Sequence, residues 1–225
     1  MPSYTTSDIR NLVLVGHGGS GKTTLADAIL FAAGAVNRKG SVSDGTSFSD
    51  FEKEEKEHKH SIYPSVMYAD HEGKRINVID TPGSPDLMGQ AYACTPAADT
   101  VVLVINAQNG IEVVTRRMME LAKEQGLPRA IVINKIDAPQ IDPAALVEQI
   151  RESFGTECLP INLPASGGTA VVDCLMNKTG DSDIGTVADA RSAIMDQIVE
   201  MDEGLMEKYL GGEEPTPEEI HKAFV

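Results

Sequence analysis

The chain has 225 residues, of which 41% are hydrophobic and 24% charged, and its formal net charge is −15. This length allows a sizeable core in one domain, or in one domain with an extension. The acidic balance argues against stand-alone nucleic-acid binding, which needs a basic face, and apolar runs such as Val101–Ile105 are far too short to cross a bilayer. Three cysteines without metal-like spacing predict buried, reduced thiols in a cytoplasmic protein.

Short apolar runs alternate with longer amphipathic stretches, a pattern typical of a parallel sheet covered by helices. The predicted elements are, in chain order, strand Asn11–Val15, helix Lys22–Ala33, paired strands Ile62–Ala69 and Arg75–Ile79, strand Thr100–Ile105, helix Glu112–Glu124, strand Arg129–Ile133, helix Pro143–Phe154 and helix Val187–Leu210. From Asp181 onward there are 12 acids against 3 bases, so −9 of the −15 charges lie in the last fifth of the chain. That change in charge composition indicates a candidate domain boundary.

A long polar segment without clear periodicity lies between Gly34 and Ser61. Loops of this length inside a compact domain are usually functional or mobile. The charged run Glu52–Lys59 is compatible with a plain solvated helix, and equally with a loop that senses a bound nucleotide.

The strongest motif fits the pattern G-x-x-x-x-G-K-[ST] and reads Gly16-His17-Gly18-Gly19-Ser20-Gly21-Lys22-Thr23, with Thr24 next to it. It follows a predicted strand and opens a predicted helix, which is the context that a phosphate-binding loop requires. Glycines let backbone N–H groups turn toward phosphate oxygens, and the helix N-terminus adds partial positive charge. Lys22 is then expected to reach the β- and γ-phosphates, while the Thr23 hydroxyl binds Mg²⁺.

The second motif, Asp80-Thr81-Pro82-Gly83, follows the predicted strand Arg75–Ile79. A carboxylate at the end of such a strand is suited to hold the metal, directly or through water. The Gly83 N–H is suited to contact the γ-phosphate, so its position would depend on that phosphate.

The third motif, Asn134-Lys135-Ile136-Asp137, follows the predicted strand Arg129–Ile133. Asp137 can accept hydrogen bonds from guanine N1–H and its 2-amino group, which adenine lacks. Such polar pairing favours GTP over ATP, because the wrong base leaves a buried carboxylate unpaired. Asn134 is expected to reach the other polar edge of the base and to tie neighbouring loops together, and the Lys135 stem to lie against the ring.

The chain resembles the GTPase domain of elongation factor G, and more closely its elongation-factor-G-like paralogues. The stretches that carry the resemblance are GHGGSGKTTL (16–25), AILFAAG (28–34), DTPGSPDL (80–87), VVLVINAQNGIEVVT (101–115), INKID (133–137) and MEKYLGGEEPTPEE (206–219). The resemblance implies a three-layer α/β P-loop fold, with a GTPase core at residues 1–154 and the start of an inserted subdomain at 155–225. It also implies a piece of a longer protein, because the family's last strand and Ser-Ala loop do not appear.

Three positions depart from the family pattern. Gly19 stands where the family usually has aspartate, so the monovalent-cation role of that aspartate is not expected here. His58-Lys59-His60-Ser61 stands where the family has R-G-I-T, so Ser61 is the expected Mg²⁺ ligand beside Thr23 and Asp80. Ser84 replaces the histidine that positions the attacking water, so slow hydrolysis or another activation route is expected.

The resemblance therefore implies GTP and GDP binding with Mg²⁺, and ribosome-coupled GTP hydrolysis with Lys22, Gly83 and Ser84 at the reaction centre. The ribosome would be the partner of the longer protein, and no membrane partner is expected. An alternative is a nucleotide-responsive binding module that scarcely hydrolyses GTP, which Ser84 motivates. A ribosomal protection or release role stays open, since those relatives share the same front domain.

Overall fold

The computed structural model describes residues 4–213, 215–216 and 218–220. Its contacts divide the chain into two compact units, Met1–Lys135 and Ile136–Val225. The elements of the first unit are β1 (Ile9–Val15), α1 (Lys22–Ala32), α2 (Lys53–His58), β2 (Ser65–His71), β3 (Lys74–Asp80), α3 (Met88–Cys94), β4 (Thr100–Asn106), α4 (Val113–Glu124) and β5 (Arg129–Asn134). Those of the second unit are α5 (Pro143–Phe154), β6 (Asn162–Ala165), β7 (Ala170–Asp173), α6 (Val187–Val199) and α7 (Glu203–Leu210).

The first unit is built on a five-stranded sheet with the order β2-β3-β1-β4-β5. Four of its strands run parallel, and the edge strand β2 is antiparallel to β3. β1 and β4 occupy the middle of the sheet because their branched apolar side chains suit burial on both faces. The carboxyl ends of β1, β3 and β5 consequently lie along one edge of the sheet, and each of the three motifs begins there.

The core of the first unit forms between the sheet and its helices. Leu14, Val78 and Val104 are each at most 1% exposed, and they pack with Ala26 of α1. Helix α4 contacts β4, and the adjacent Met118 and Met119 are both buried. Gly34 and Gly126 follow α1 and α4 with positive φ angles of 70° and 65°, as expected for residues that end helices.

The second unit has its own core. The antiparallel pair β6–β7 places Leu163 opposite Val172, and α6 and α7 contact each other. Its buried residues are Leu163, Cys174, Val187, Ile194, Met195, Ile198, Val199, Leu205 and Ile220. This unit therefore buries a hydrophobic cluster separate from that of the first.

Most of the predicted elements agree with the structure to within three residues, but the single helix predicted at Val187–Leu210 is wrong. α6 ends at Val199, and α7 begins at Glu203. The Asp202 carboxylate accepts hydrogen bonds from Gly204 N (2.8 Å) and Leu205 N (3.1 Å), so it caps a new helix. The short elements α3, β6 and β7 were not predicted.

Three further expectations have separate outcomes. The charged run Glu52–Lys59 does contain a helix, α2. Of the three cysteines predicted to be buried, Cys174 is buried, whereas Cys94 and Cys158 are only half-buried. The contact boundary falls after Lys135, and the proposed start of an inserted subdomain at residue 155 stays a prediction.

Among the described residues, no helix has the length and hydrophobicity that crossing a membrane requires.

Candidate nucleotide-binding site

The loop between β1 and α1 has the backbone that its glycines predict. Gly16, Gly19 and Gly21 have φ angles of 142°, 78° and 95°, a region that side-chain-bearing residues rarely adopt. A Cβ at Gly16 would overlap the carbonyl oxygen of Val104, and one at Gly21 would overlap the side-chain amide of Asn134. The loop therefore packs closely on the ends of β4 and β5 because these two positions have no side chain.

Lys22 lies inside this loop. It is 5% exposed, and its ammonium donates hydrogen bonds to Gly16 O (2.9 Å) and His17 O (3.1 Å). Burial lowers the pKa of Lys22, while the negative charges of Asp80 and Glu112 oppose that shift. A buried ammonium beside backbone N–H groups at the start of a helix is suited to bind phosphate oxygens.

The other loop residues differ in exposure. His17 Nε2 lies 3.6 Å from Glu112 Oε1, and its Nδ1 atom is buried without a hydrogen-bond partner in the described structure. The Ser20 hydroxyl is likewise buried and unpartnered there. Gly18, Gly19 and Thr24 are exposed. Unpartnered buried polar atoms are costly, so two of them in one glycine loop point to a polar ligand.

Next to the loop, hydroxyl and carboxylate oxygens from four segments converge. Asp80 Oδ2 accepts hydrogen bonds from Thr23 Oγ1 (2.7 Å) and Ser49 Oγ (2.6 Å). Ser61 Oγ lies 3.1 Å from Thr23 Oγ1 and donates to Asp50 Oδ1 at 2.7 Å. The three predicted metal ligands, Thr23, Ser61 and Asp80, are therefore neighbours in space. Hard oxygen atoms of this kind are the ligands that Mg²⁺ prefers.

Burial raises the pKa of Asp80, while hydrogen bonds from Ser49 and Thr23 and the charge of Lys22 oppose the shift. The Asp80 side chain is 1% exposed, and Oδ1 has no hydrogen-bond partner among the described residues. Burial also raises the pKa of Asp50, opposed by the Ser61 hydrogen bond. These residues fit a divalent cation, which would supply the positive charge that two buried carboxylates need.

The polar segment between α1 and β2 is anchored by two further buried carboxylates. Glu55 of α2 is 1% exposed, and it accepts hydrogen bonds from Glu52 N (3.1 Å), Ile62 N (2.9 Å) and Tyr63 N (3.0 Å). The Ile62 amide directly follows Ser61, so Glu55 fixes the backbone beside a predicted metal ligand. Asp27 of α1 is fully buried and accepts from Phe48 N at 3.0 Å.

Gly83 lies against the phosphate-binding loop. A Cβ there would be 2.6 Å from Gly18 N and would overlap the Lys22 ammonium, so only glycine fits this approach. Ser84 follows it as a half-buried residue at the start of the 3-10 turn Pro85–Leu87. Thr81, between Asp80 and Gly83, donates to Leu14 O at 2.7 Å and ties this motif to β1.

Asn134 and Lys135 bind the phosphate loop from the end of β5. Asn134 Nδ2 donates to Ser20 O (2.9 Å), and Lys135 Nζ donates to Gly19 O (2.8 Å). The expectation that Asn134 ties neighbouring loops together therefore agrees with the geometry. Asp137 follows two residues later, in the second unit, and its side chain is exposed.

Sequence reasoning missed several residues of this arrangement, chiefly Ser49, Asp50, Glu55 and Glu112. None belongs to a short motif, and they reach the site only through tertiary folding. For Ser49, Asp50 and Glu55, the available signals were the length of the polar segment between Gly34 and Ser61 and the charged run Glu52–Lys59 within it. They indicated a functional loop without identifying its residues, and Glu112 lies outside that segment.

The parallel sheet, the glycine loop that opens α1 and the oxygen cluster beside it define a P-loop nucleotide-binding domain. A family model described as the elongation factor Tu GTP binding domain matches residues 7–178. The chain belongs to this family of translation GTPases, and its relatives are of the elongation-factor-G-like kind.

Two similar proteins, each described as an elongation factor G-like protein, come from two strains of Mycobacterium tuberculosis. Each is 36% identical over 218 residues, which covers 91% of this chain and 30% of the relative. A crystal structure from Thermus thermophilus is also similar, with a TM-score of 0.85 and 36% identity over 96% of this chain and 35% of the solved one. The chain thus spans about a third of the length of these relatives.

Proposed function

We propose that this chain binds GTP and GDP together with Mg²⁺, and that the protein hydrolyses GTP in a cycle coupled to the ribosome in the cytoplasm. The observation that carries this proposal is the hydrogen-bonded cluster of Thr23, Ser61 and Asp80 directly beside the buried Lys22. The family membership supports the choice of a guanine nucleotide, and the names of the similar proteins support the role in translation.

The residues have separate roles in this proposal. The backbone N–H groups of residues 16–24 and the Lys22 ammonium bind the phosphates, and the Gly83 N–H contacts the terminal phosphate. Mg²⁺, held by Thr23, Ser61 and Asp80, would neutralise charge on the β- and γ-phosphates. Asn134, Lys135 and Asp137 select guanine. Such sites act by positioning and electrostatic stabilisation.

The test of base choice is a calorimetric titration with GDP, ADP and xanthosine diphosphate in the presence of Mg²⁺. The wild-type protein is expected to bind GDP most tightly. Asp137→Asn is expected to prefer xanthosine diphosphate, because an amide donor at this position matches the 2-oxo group of xanthine. Equal affinity of the wild-type protein for ADP and GDP would contradict the proposal.

A second candidate function is a nucleotide-responsive binding module with little hydrolysis. Ser84 favours it, because a short neutral hydroxyl stands where the family has a histidine. Single-turnover GTP hydrolysis with and without ribosomes separates the two functions. Stimulated turnover excludes the binding module, whereas tight binding with no stimulated turnover excludes the coupled GTPase.

A further inference from the structure

The turn that joins β6 and β7, residues 166–169, has an unusual backbone. Ser166, Gly167 and Gly168 have consecutive positive φ angles of 54°, 67° and 79°. In turn conformations, successive backbone N–H groups can point toward a common site, where they bind an anion. The Thr169 hydroxyl also donates to Ser166 O at 2.8 Å and closes the turn.

The anion at this point is the Asp183 carboxylate. Its two oxygens accept hydrogen bonds from Gly167 N (3.1 Å) and Gly168 N (2.9 Å). Asp183 is itself held in place, because its amide donates to Pro164 O at 2.8 Å. The next residue, Ile184, packs against the hydrophobic cluster of the second unit. Asp183 therefore connects this core to the turn.

The same turn lies against the segment that the guanine-recognition motif occupies. A Cβ at Gly168 would overlap the carbonyl oxygen of Ile136, and it would lie 2.9 Å from that carbonyl carbon and 3.2 Å from Asp137 N. Those three atoms belong to a single peptide group. Peptide groups are planar, so contact with this one restricts the backbone dihedrals on both sides of it, including φ of Asp137.

We infer that Asp183 and Gly168 are positioning residues for guanine recognition: Asp183 holds the turn, and the turn fixes the peptide group that orients Asp137. The inference rests on the proposed function of Asp137. It makes the β6–β7 turn a determinant of base specificity through contacts that all lie within the second unit. Neither Asp183 nor Gly168 belongs to any motif recognised in the sequence.

A comparison of the affinities for GDP and inosine diphosphate distinguishes a displaced Asp137 side chain from a loss of structure in the whole site. Asp137 can accept two hydrogen bonds from guanine but only one from hypoxanthine, which has N1–H and no 2-amino group. A displaced Asp137 therefore lowers the affinity for GDP more than that for inosine diphosphate. A loss of structure that acts on the whole site lowers both affinities by the same factor.

The first experiment compares Gly168→Ala with Gly167→Ala in the purified protein. Both replacements introduce a side chain at a positive φ angle, so their backbone strain is similar. At Gly167 the new methyl group meets nothing within 4 Å, whereas at Gly168 it meets the peptide group of Ile136 and Asp137. Gly168→Ala is expected to reduce the ratio of GDP to inosine diphosphate affinity about 10-fold. Gly167→Ala is expected to leave that ratio unchanged.

The second experiment compares Asp183→Asn with Asp181→Asn. Both remove one negative charge from exposed positions two residues apart, but only Asp183 binds the turn. Asp183→Asn is expected to lower the same affinity ratio about 3- to 10-fold, because the amide oxygen can accept from only one of the two turn N–H groups and the amide nitrogen cannot accept from the other. Asp183→Asn keeps the size of the side chain, so it tests the positioning role even if Gly168→Ala does not fold. Circular dichroism checks the folding of every variant.

The outcomes distinguish this inference from the function on which it rests. If the wild-type protein does not prefer GDP to ADP, the proposed function fails. If the wild-type protein prefers GDP, but Asp183→Asn keeps the wild-type affinity ratio, only the positioning role is overturned. An equal loss of affinity for both nucleotides assigns Asp183 a general structural role and also overturns the inference.

Discussion

Carboxylate side chains serve different purposes in the two units. In the first unit, Asp27, Asp50, Glu55 and Asp80 are each at most 2% exposed. Three of them bind the polar segment between α1 and β2, and Asp80 joins that segment to α1. In the second unit, the carboxylates that bind backbone amides at the starts of α5 and α7 and at the β6–β7 turn are exposed: Asp142, Asp202 and Asp183.

This difference shows that acidic side chains have two structural uses in the chain. Burying a carboxylate is unfavourable unless hydrogen bonds or cations compensate, so buried carboxylates concentrate where a cation is expected. Exposed carboxylates at helix starts satisfy free N–H groups at little cost in solvation. The excess of acids after Asp181 is thus partly structural. Three substitutions test this difference between the two units.

The largest effect is expected for Asp80→Asn, which removes a buried negative charge. The neutral amide is a weaker ligand for a divalent cation than a carboxylate, so the tightening of nucleotide binding by Mg²⁺ should fall about 100-fold. The stability of the nucleotide-free protein should change little, because the replacement also removes an unfavourable buried charge. Nucleotide titrations with and without Mg²⁺, together with thermal unfolding, measure both quantities.

The control for Asp80→Asn is Asp86→Asn, which neutralises an exposed acid six residues away. It is expected to bind nucleotide like the wild-type protein. If Asp80→Asn kept its full dependence on Mg²⁺, the buried oxygen cluster would have no role in metal binding.

An intermediate effect is expected for Glu55→Gln. The amide oxygen can still accept from Ile62 N and Tyr63 N, but the amide nitrogen would face the Glu52 N–H, and two donors do not pair. The loss of one buried hydrogen bond is expected to cost about 1–3 kcal/mol of unfolding free energy. It should also weaken Mg²⁺-dependent binding, because Ser61 lies beside Ile62. Chemical denaturation measures the cost, and the matched control is Glu54→Gln at an exposed position of the same helix.

The smallest effect is expected at Glu219, in the second unit. Hydrogen bonds from the Thr216 amide and from Lys208 lower the pKa of Glu219 from 4.5 to about 2. A lowered pKa stabilises the folded protein above pH 4.5, and this stabilisation is lost as the pH falls from 4.5 to about 2. Urea unfolding should therefore show a small advantage of the wild-type protein over Glu219→Gln at pH 7 that disappears near pH 2. Glu218→Gln, at an exposed neighbouring position, is the matched control for the loss of one negative charge.

Much of the first unit follows from local sequence. Buried strands such as β4 and the glycine-lysine motif each contain their own signal, so these elements can be located along the chain without their tertiary contacts. Ser49 and Asp50 could not be predicted in this way, because their contacts with Asp80 and Ser61 depend on how an aperiodic segment folds. Ser61 was predicted only through a family resemblance.

The second unit was harder to predict from sequence. Its strands β6 and β7 have four residues each, which is too short for a periodic pattern to emerge. Gly167 and Gly168 are residues typical of a turn, but nothing in the local sequence predicts that this turn packs on Ile136. The interactions of Asp183 are non-local, since they join residues 15 and 16 positions apart.

Because of the break between α6 and α7, both helices contribute side chains to the core of this small unit. A continuous helix from Val187 to Leu210 would be about 36 Å long at about 1.5 Å per residue. That length is about the full diameter of a compact 100-residue domain, whose radius of gyration of about 13 Å corresponds to a sphere about 34 Å across. Two shorter helices replace the single long one, and α7 begins directly after Asp202. Leu205 of α7 belongs to the same hydrophobic cluster as Ile198 of α6. The cap at Asp202 therefore starts a second helix whose Leu205 is buried in the core.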